Sequence, residues 1–227
     1  VVFLVVLFAS QKIVRPVEDS YEKQKLFIAN ASHELKTPLA IIQANMEALD
    51  VDKGSEKWKN NIENEIDHAN KLVLNLLQLA KMDAGNVDKS RVEEVNLRDE
   101  ITKRVEMFSP KFAGKITFKN EGGLSSYSLP RQDILQILDI LLDNATKYGE
   151  KKIGVVLAKS GFAVSNDGAV VPVDECKKVF DRFYQTDKTK EGSGLGLAIA
   201  KALCQRNGWN IACESEKNKT TFVVRLV

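Results

Sequence analysis

Residues 28–49 read IANASHELKTPLAIIQANMEAL, and the fold of the chain is best approached from this stretch. Ile28, Ala31, Leu35, Leu39, Ile42, Met46 and Leu49 recur at steps of three or four. That is the spacing of one face of an α-helix. The stripe runs through Pro38, which has no N–H to offer the carbonyl of Glu34, so a bend is expected there. A proline inside a helix costs about 3 kcal/mol relative to alanine and asks for a reason. Downstream, Trp58, Ile62, Ile66, Ala69, Val73, Leu76 and Ala80 repeat the same spacing. The short turn Asp52-Lys53-Gly54-Ser55 between the stripes predicts an antiparallel hairpin. Two helices alone bury too little apolar surface to stand independently. Pairing two hairpins into a four-helix bundle solves this, so the pattern predicts a homodimer.

Upstream, Val1 to Ala9 is an unbroken apolar run, VVFLVVLFA. A spanning helix needs about 20 such residues. The run is therefore expected to be the cytoplasmic end of a transmembrane helix, with Lys12 and Arg15 as its positive inner flank. Charge after the apolar run argues against a signal peptide. Pro16 and the polar VEDSYEKQK form a linker into the first helix. The expected division is residues 1–9 as membrane helix, 10–25 as linker, 26–86 as dimerisation domain and 87–227 as a second domain.

Past Gly85 the texture changes. Strand-like runs (Ile116 to Lys119, Ile153 to Ala158, Gly161 to Ser165, Trp209 to Glu214, Thr220 to Leu226) alternate with helical segments (Leu97 to Phe108, Arg131 to Tyr148, Leu195 to Asn207). Helices grouped with a mostly antiparallel sheet predict a two-layer α/β sandwich, so the chain reads as multi-domain α and α+β. Lys and Arg total 33 against 31 Asp and Glu, a net charge of +2 that leaves no electrostatic footprint for nucleic acid. The three cysteines, Cys176, Cys204 and Cys213, form no CxxC pair and suit a reducing compartment.

Three constellations could carry chemistry. His33 sits in SHELKTPL beside the apolar stripe, with Glu34 next to it as a proton acceptor and Thr37 at i+4 on the same face. His68 lacks such company and reads as an ordinary helical residue. In LLDNATKYG, helical spacing puts Asn144, Lys147 and Tyr148 on one face, and an amide oxygen suits Mg²⁺. Gly192-Ser193-Gly194-Leu195-Gly196-Leu197 opens a helix, where glycines let the backbone approach phosphates. It is neither a Walker loop, since no GK[ST] follows, nor a Rossmann fingerprint, since no strand leads into it.

Together these segments resemble the sensor histidine kinases with a HisKA-type dimerisation domain. NASHELKTPL resembles the H box and QILDILLDNATKYG the N box. VSNDGAVVP is similar to the first glycine box, VFDRFYQ to the F box and EGSGLGLAIA to the second glycine box. The TTFVVRL ending resembles the last strand of that family's catalytic domain. The likeness spans roughly residues 20 to 227, with five motifs in the family's order.

The resemblance implies a Bergerat-type ATP-binding fold and a set of roles. His33 would be the phosphoacceptor, Glu34 would help activate its imidazole, and Thr37 would position water for dephosphorylating a response regulator. Asn144 would ligate Mg²⁺, Lys147 would approach the phosphates, and Tyr148 would pack near the nucleotide. Asn166, Asp167 and Gly168 would form the adenine site. Phe180, Arg182 and Phe183 of the F box would contact nucleotide, as would Gly192, Gly194, Leu195, Gly196 and Leu197 of the second glycine box and Thr221 of the last strand. ATP and Mg²⁺ are the implied cofactors. The implied partners are a response regulator receiver domain, a second copy of the chain and the membrane, with residues from about 10 onward in the cytoplasm.

Three departures stand out. Ile140 occupies a position where the family often has a second Asn, Asn166-Asp167-Gly168 stands for the usual Asp-Asn-Gly, and Val170 replaces a glycine. Either Asn166 reads the adenine amino group through its amide oxygen, or the box is read one residue later and Asp167 does so. The expected reaction is phosphoryl transfer from ATP to His33 and on to a regulator aspartate, with phosphatase activity toward that regulator. A GHKL-type ATPase and a non-enzymatic pseudokinase scaffold are the rival readings.

Overall fold

The computed structural model describes residues 15–51, 56–84, 92–123, 126–187, 189 and 192–226. The apolar run Val1 to Ala9, the turn at Asp52 to Ser55 and Gly85 lie outside the described residues. Contacts divide the chain into two compact units, Val1–Leu76 and Leu77–Val227. Among the described residues, no helix is long and apolar enough to cross a membrane.

The first unit is built from helix α1 (Arg15–Val51) and most of helix α2 (Glu56–Asp83). Helix α1 continues through Pro38, whose ring is buried. A polar link ties the two helices. Asn61 donates to the Asn45 side-chain oxygen at 3.3 Å, and Asn45, only 7% exposed, donates to the Ile41 carbonyl at 2.7 Å. Leu72 is buried, but Ile28, Leu39, Met46, Ile66 and Val73 of the two stripes are exposed on the single chain. One hairpin therefore leaves much of its own apolar surface uncovered, as the size argument predicts.

The second unit holds the remaining elements: β1 (Val92–Val95), α3 (Leu97–Phe108), β2 (Lys115–Glu121), β3 (Tyr127–Pro130), α4 (Arg131–Tyr148), β4 (Lys152–Ala158), β5 (Gly161–Asn166), α5 (Gly196–Arg206), β6 (Asn210–Glu216) and β7 (Lys219–Arg225). Asn96 caps α3 by accepting from the Asp99 N–H at 3.3 Å. The main sheet has the order β2-β4-β5-β7-β6. Among the described strands of this sheet, only the β2–β4 pair is parallel. The short strands β1 and β3 pair separately as a two-stranded ribbon.

Alternation along the central strands explains the layering. Ile153, Val155 and Leu157 of β4, Phe162 and Val164 of β5, and Phe222 and Val224 of β7 are all buried. They face Ile134, Ile137, Leu138, Leu141 and Leu142 of α4 and Ile199 and Leu203 of α5, which are also buried. Each such side chain contributes about 1.5–3 kcal/mol when fully buried. Asp133 ties α4 to α5, forming an ion pair with Arg206 and accepting from Asn207 at 2.7 Å. Arg131 meets Glu100 at 2.8 Å and thereby holds the Glu100 carboxyl below its ordinary range. This core fixes the C-terminal end of α4 against the end of β5, where the candidate site lies.

Candidate active site

On α1, His33 is exposed, and among the described residues its imidazole makes no hydrogen bond or ion pair. Glu34 beside it is half-buried. Thr37, one turn on, is exposed and donates to the His33 carbonyl at 3.4 Å. The only other histidine, His68, lies 3.8 Å from Glu65 one turn earlier on α2. The His33 side chain is therefore open to solvent.

In the second unit, α4 ends at Gly149, whose N–H bonds to the Ala145 carbonyl at 2.8 Å. The chain leaving β5 returns directly over this end. Ala169 N–H bonds to the Tyr148 carbonyl at 3.3 Å. The approach is so close that a Cβ on Gly168 would lie 1.7 Å from the Tyr148 oxygen. Only glycine fits there.

Asn166 and Asp167, adjacent in sequence, have opposite fates. Asp167 turns its Oδ1 onto three backbone N–H groups, those of Glu150 at 3.2 Å and of Lys151 and Lys152 at 3.0 Å each. The Lys152 and Lys151 bonds hold its carboxyl below the ordinary value. Asn166 points the other way. It is 3% exposed, and its Nδ2 is buried without a hydrogen-bond partner among the described residues. Leaving such a donor unsatisfied costs about 1–3 kcal/mol, and the buried polar groups of folded proteins are nearly always paired.

The second glycine segment runs along a half-buried ridge of α4. A Cβ on Gly192 would meet Lys147 Nζ at 2.5 Å, and one on Gly196 would meet Ile140 Cγ2 at 3.4 Å. Ile140, Asn144 and Lys147 share that ridge by helical spacing. Asn144 is half-buried, and its side-chain amide makes no hydrogen bond among the described residues. Lys147 Nζ also lies 5.1 Å from the centre of the Tyr148 ring. Burial, followed by the charge of Asp187, raises the Tyr148 pKa and keeps the phenol neutral. Gly192 and Gly194 take positive φ of 142° and 66°. Phe183, also at positive φ, donates its N–H to the Gly194 carbonyl at 3.0 Å, and Gln185 donates to the Gly192 carbonyl. Leu195 is fully buried and anchors the start of α5, whose first N–H groups receive no side-chain cap. Uncapped N–H groups at a helix start are suited to phosphate oxygens. Leu197 follows in the first turn and is half-buried.

Three of the expected contact residues are placed differently. Phe180 is buried and packs edge-on against Phe222, with ring centres 6.1 Å apart. Arg182 reaches Asp83 at 2.6 Å. Thr221 pairs with Ser165 on the sheet face opposite Asn166, because side chains alternate along a strand. Thr220 is the residue directly across from Asn166. It is buried, accepts from the Val171 N–H at 3.1 Å and donates to the Ala169 carbonyl at 3.4 Å, so it braces the glycine-box loop from below.

These residues suit a purine nucleoside triphosphate. They offer a buried amide for the base, a glycine-lined backbone for close approach, Lys147 for charge and an uncapped helix start for phosphate. Among the described residues there is no cluster of three or more His, Cys, Asp or Glu side chains. Asn144 offers one amide oxygen, which fits an ion that arrives already bound to phosphates.

Comparison with known proteins agrees with both halves. The family model of the His Kinase A (phospho-acceptor) domain matches residues 23–85. That of the Histidine kinase-, DNA gyrase B-, and HSP90-like ATPase matches residues 130–227. The signal transduction histidine-protein kinase ArlS of Staphylococcus aureus (strain USA300) is 34% identical over 235 residues, covering 94% of this chain and 51% of the relative. The same protein of strain COL matches equally. The chain thus spans about half the length of the curated relatives it matches. Among solved structures, the histidine kinase AdeS of Acinetobacter baumannii superposes with a TM-score of 0.71 at 20% identity, covering 86% of this chain and 96% of that one. Histidine kinase ThkA in complex with response regulator protein TrrA also gives 0.71 at 20% identity, over 96% of this chain and 65% of that one. At such identities the superpositions speak for the fold alone. With a phospho-acceptor domain followed by the ATPase domain, and a curated histidine kinase relative along almost its whole length, the chain belongs to the sensor histidine kinases of two-component systems.

Proposed function

We propose that this chain transfers the terminal phosphoryl group of ATP to His33 and passes it on to an aspartate of a response regulator receiver domain. The observation that carries the reading is the exposed, unpartnered His33 beside Glu34, on a helix matched by the phospho-acceptor model. Phosphoryl transfer asks the protein mainly for positioning and charge neutralisation. The neutral imidazole attacks through one nitrogen while Glu34 takes the proton from the other. General-base help of this kind is worth about 10²–10⁴-fold. Asn166 receives the base, Gly168 admits it against the end of α4, and Lys147 with the start of α5 steadies the phosphates. Mg²⁺ on the Asn144 oxygen would supply further neutralisation of phosphate charge.

The exposed stripes of α1 and α2 support a homodimer, in which two hairpins bury them against each other. The apolar run Val1 to Ala9 with Lys12 and Arg15 supports a kinase core held at the inner face of a membrane. A receiver domain as partner is suggested by the ThkA–TrrA complex. The Thr37 hydroxyl, one turn from His33, would orient water for dephosphorylating that partner.

Labelling with γ-³²P-ATP tests the reading. Acid-labile, base-stable phosphate is expected on the wild type and none on His33→Gln, whose hairpin should fold normally. Thr37→Ala should keep self-labelling and slow dephosphorylation of the regulator. Full labelling of His33→Gln would sink the assignment.

A further inference from the structure

We propose that the base site at Asn166 accepts 6-oxo purines as well as 6-amino purines, so that inosine and guanosine triphosphates can replace ATP as phosphoryl donors. The inference rests on the reading of Asn166 as the base-binding residue.

A carboxylate can only accept hydrogen bonds, so it holds a 6-amino group and repels a 6-oxo oxygen. An amide carries an acceptor and a two-proton donor on one carbon. Turning it half a revolution about its last bond exchanges the two, and that torsion has broad, nearly two-fold minima. Only hydrogen bonds to the protein select one orientation. Asn166 has none: its Nδ2 is buried without a partner, and its side chain has no other hydrogen bond among the described residues. The neighbouring Asp167 shows what a committed side chain looks like, with three backbone N–H groups on one oxygen. The base is thus left to choose the amide's orientation. With Oδ1 forward the amide accepts from a 6-amino group, and with Nδ2 forward it donates to a 6-oxo oxygen.

Asp167 does not restore selectivity, because its carboxylate is spent on the backbone of Glu150, Lys151 and Lys152. Thr220, directly opposite Asn166 in the sheet, is bonded to Val171 and Ala169 and does not fix the amide either. The site therefore discriminates weakly at the 6-position, where a site built to hydrogen-bond one partner can reject an analogue by about 10⁴-fold or more.

Inosine triphosphate is the clean probe, since it differs from ATP at positions 6 and 1 and lacks guanine's 2-amino group. Binding of ATP and inosine triphosphate, with Mg²⁺, is measured by calorimetry on the full chain and on Asn166→Asp. The wild type should bind the two within about tenfold of each other, and both should label His33. In Asn166→Asp the preference for ATP should rise by at least about tenfold, through tighter ATP and weaker inosine triphosphate. Wild-type rejection of inosine triphosphate with normal ATP binding would overturn the proposal and leave the ATP site standing. An unchanged ratio in a folded Asn166→Asp would do the same. Failure of both nucleotides to bind the wild type would overturn it together with the reading of the base site. The wild-type ratio decides the matter even if the variant does not fold.

Discussion

Gly168→Ala probes the tightest approach in the second unit. The added Cβ would stand 1.7 Å from the Tyr148 carbonyl oxygen, 2.8 Å from its carbon and 3.1 Å from Gly149 Cα. A carbon needs about 3.3 Å from a carbonyl oxygen, so backbone must yield by about 1.5 Å. Neither side is free to move, because Ala169 N–H is bonded to that same oxygen and Gly149 N–H to Ala145. Overpacking of this kind costs about 1–3 kcal/mol or more, offset by about 0.4–1 kcal/mol for the stiffer unfolded chain. A net loss of about 2 kcal/mol lowers the melting temperature of a unit of this size by about 4–8 °C. Gly196→Ala is the counterpart. Its Cβ meets only Ile140 Cγ2 at 3.4 Å, an ordinary contact, in the first turn of α5. Alanine there should be neutral or gain up to about 1 kcal/mol. The assay is thermal unfolding followed by Trp209 fluorescence in a Trp58→Phe background, since Trp209 is buried in the second unit and these are the only tryptophans. ATP affinity is read in parallel. Gly168→Ala should lose both stability and binding, whereas Gly196→Ala should keep stability and lose binding. A Gly168→Ala protein that melts with the wild type would refute the close approach. Equal destabilisation by both variants would refute the distinction between them.

Two further perturbations address the acid limb and the assembly. Because backbone N–H groups hold the Asp167 carboxyl below its ordinary value, its contribution to stability is present above the unfolded value of 3.8 and fades as pH falls through the folded one. Urea midpoints taken from neutral pH down to about pH 3 should show Asp167→Asn weaker than the wild type near neutrality and converging with it in acid; a pH-independent gap would contradict this. Leu39 is 59% exposed on the single chain, so Leu39→Glu should leave the hairpin helical yet give monomers or aggregates by light scattering, since a charge in a paired bundle core is strongly disfavoured. A wild-type chain that scatters as a well-folded monomer would remove the basis for the bundle.

Much of this molecule is legible from local pattern. The two helical stripes, the helices Leu97 to Phe108 and Arg131 to Tyr148, and the five strands of the main sheet follow from periodicity. The two glycine segments, the exposed His33 and the ridge of Asn144 and Lys147 are also visible in sequence. These are short-range properties, set by side-chain spacing and backbone freedom. The ribbon strands β1 and β3 were not legible, because four residues are too few to display an alternation. The fates of Asn166 and Asp167 were likewise beyond sequence, since both are short polar residues where a strand ends and either could have faced inward. The pairing of Asn166 with Thr220 and the return of the loop over the end of α4 turn one side chain into the core and the other onto the N–H groups of Glu150 to Lys152. Thr220 rather than Thr221 shares the face of Asn166 for the same reason: strand register, a long-range property, decides which of two neighbouring residues points inward.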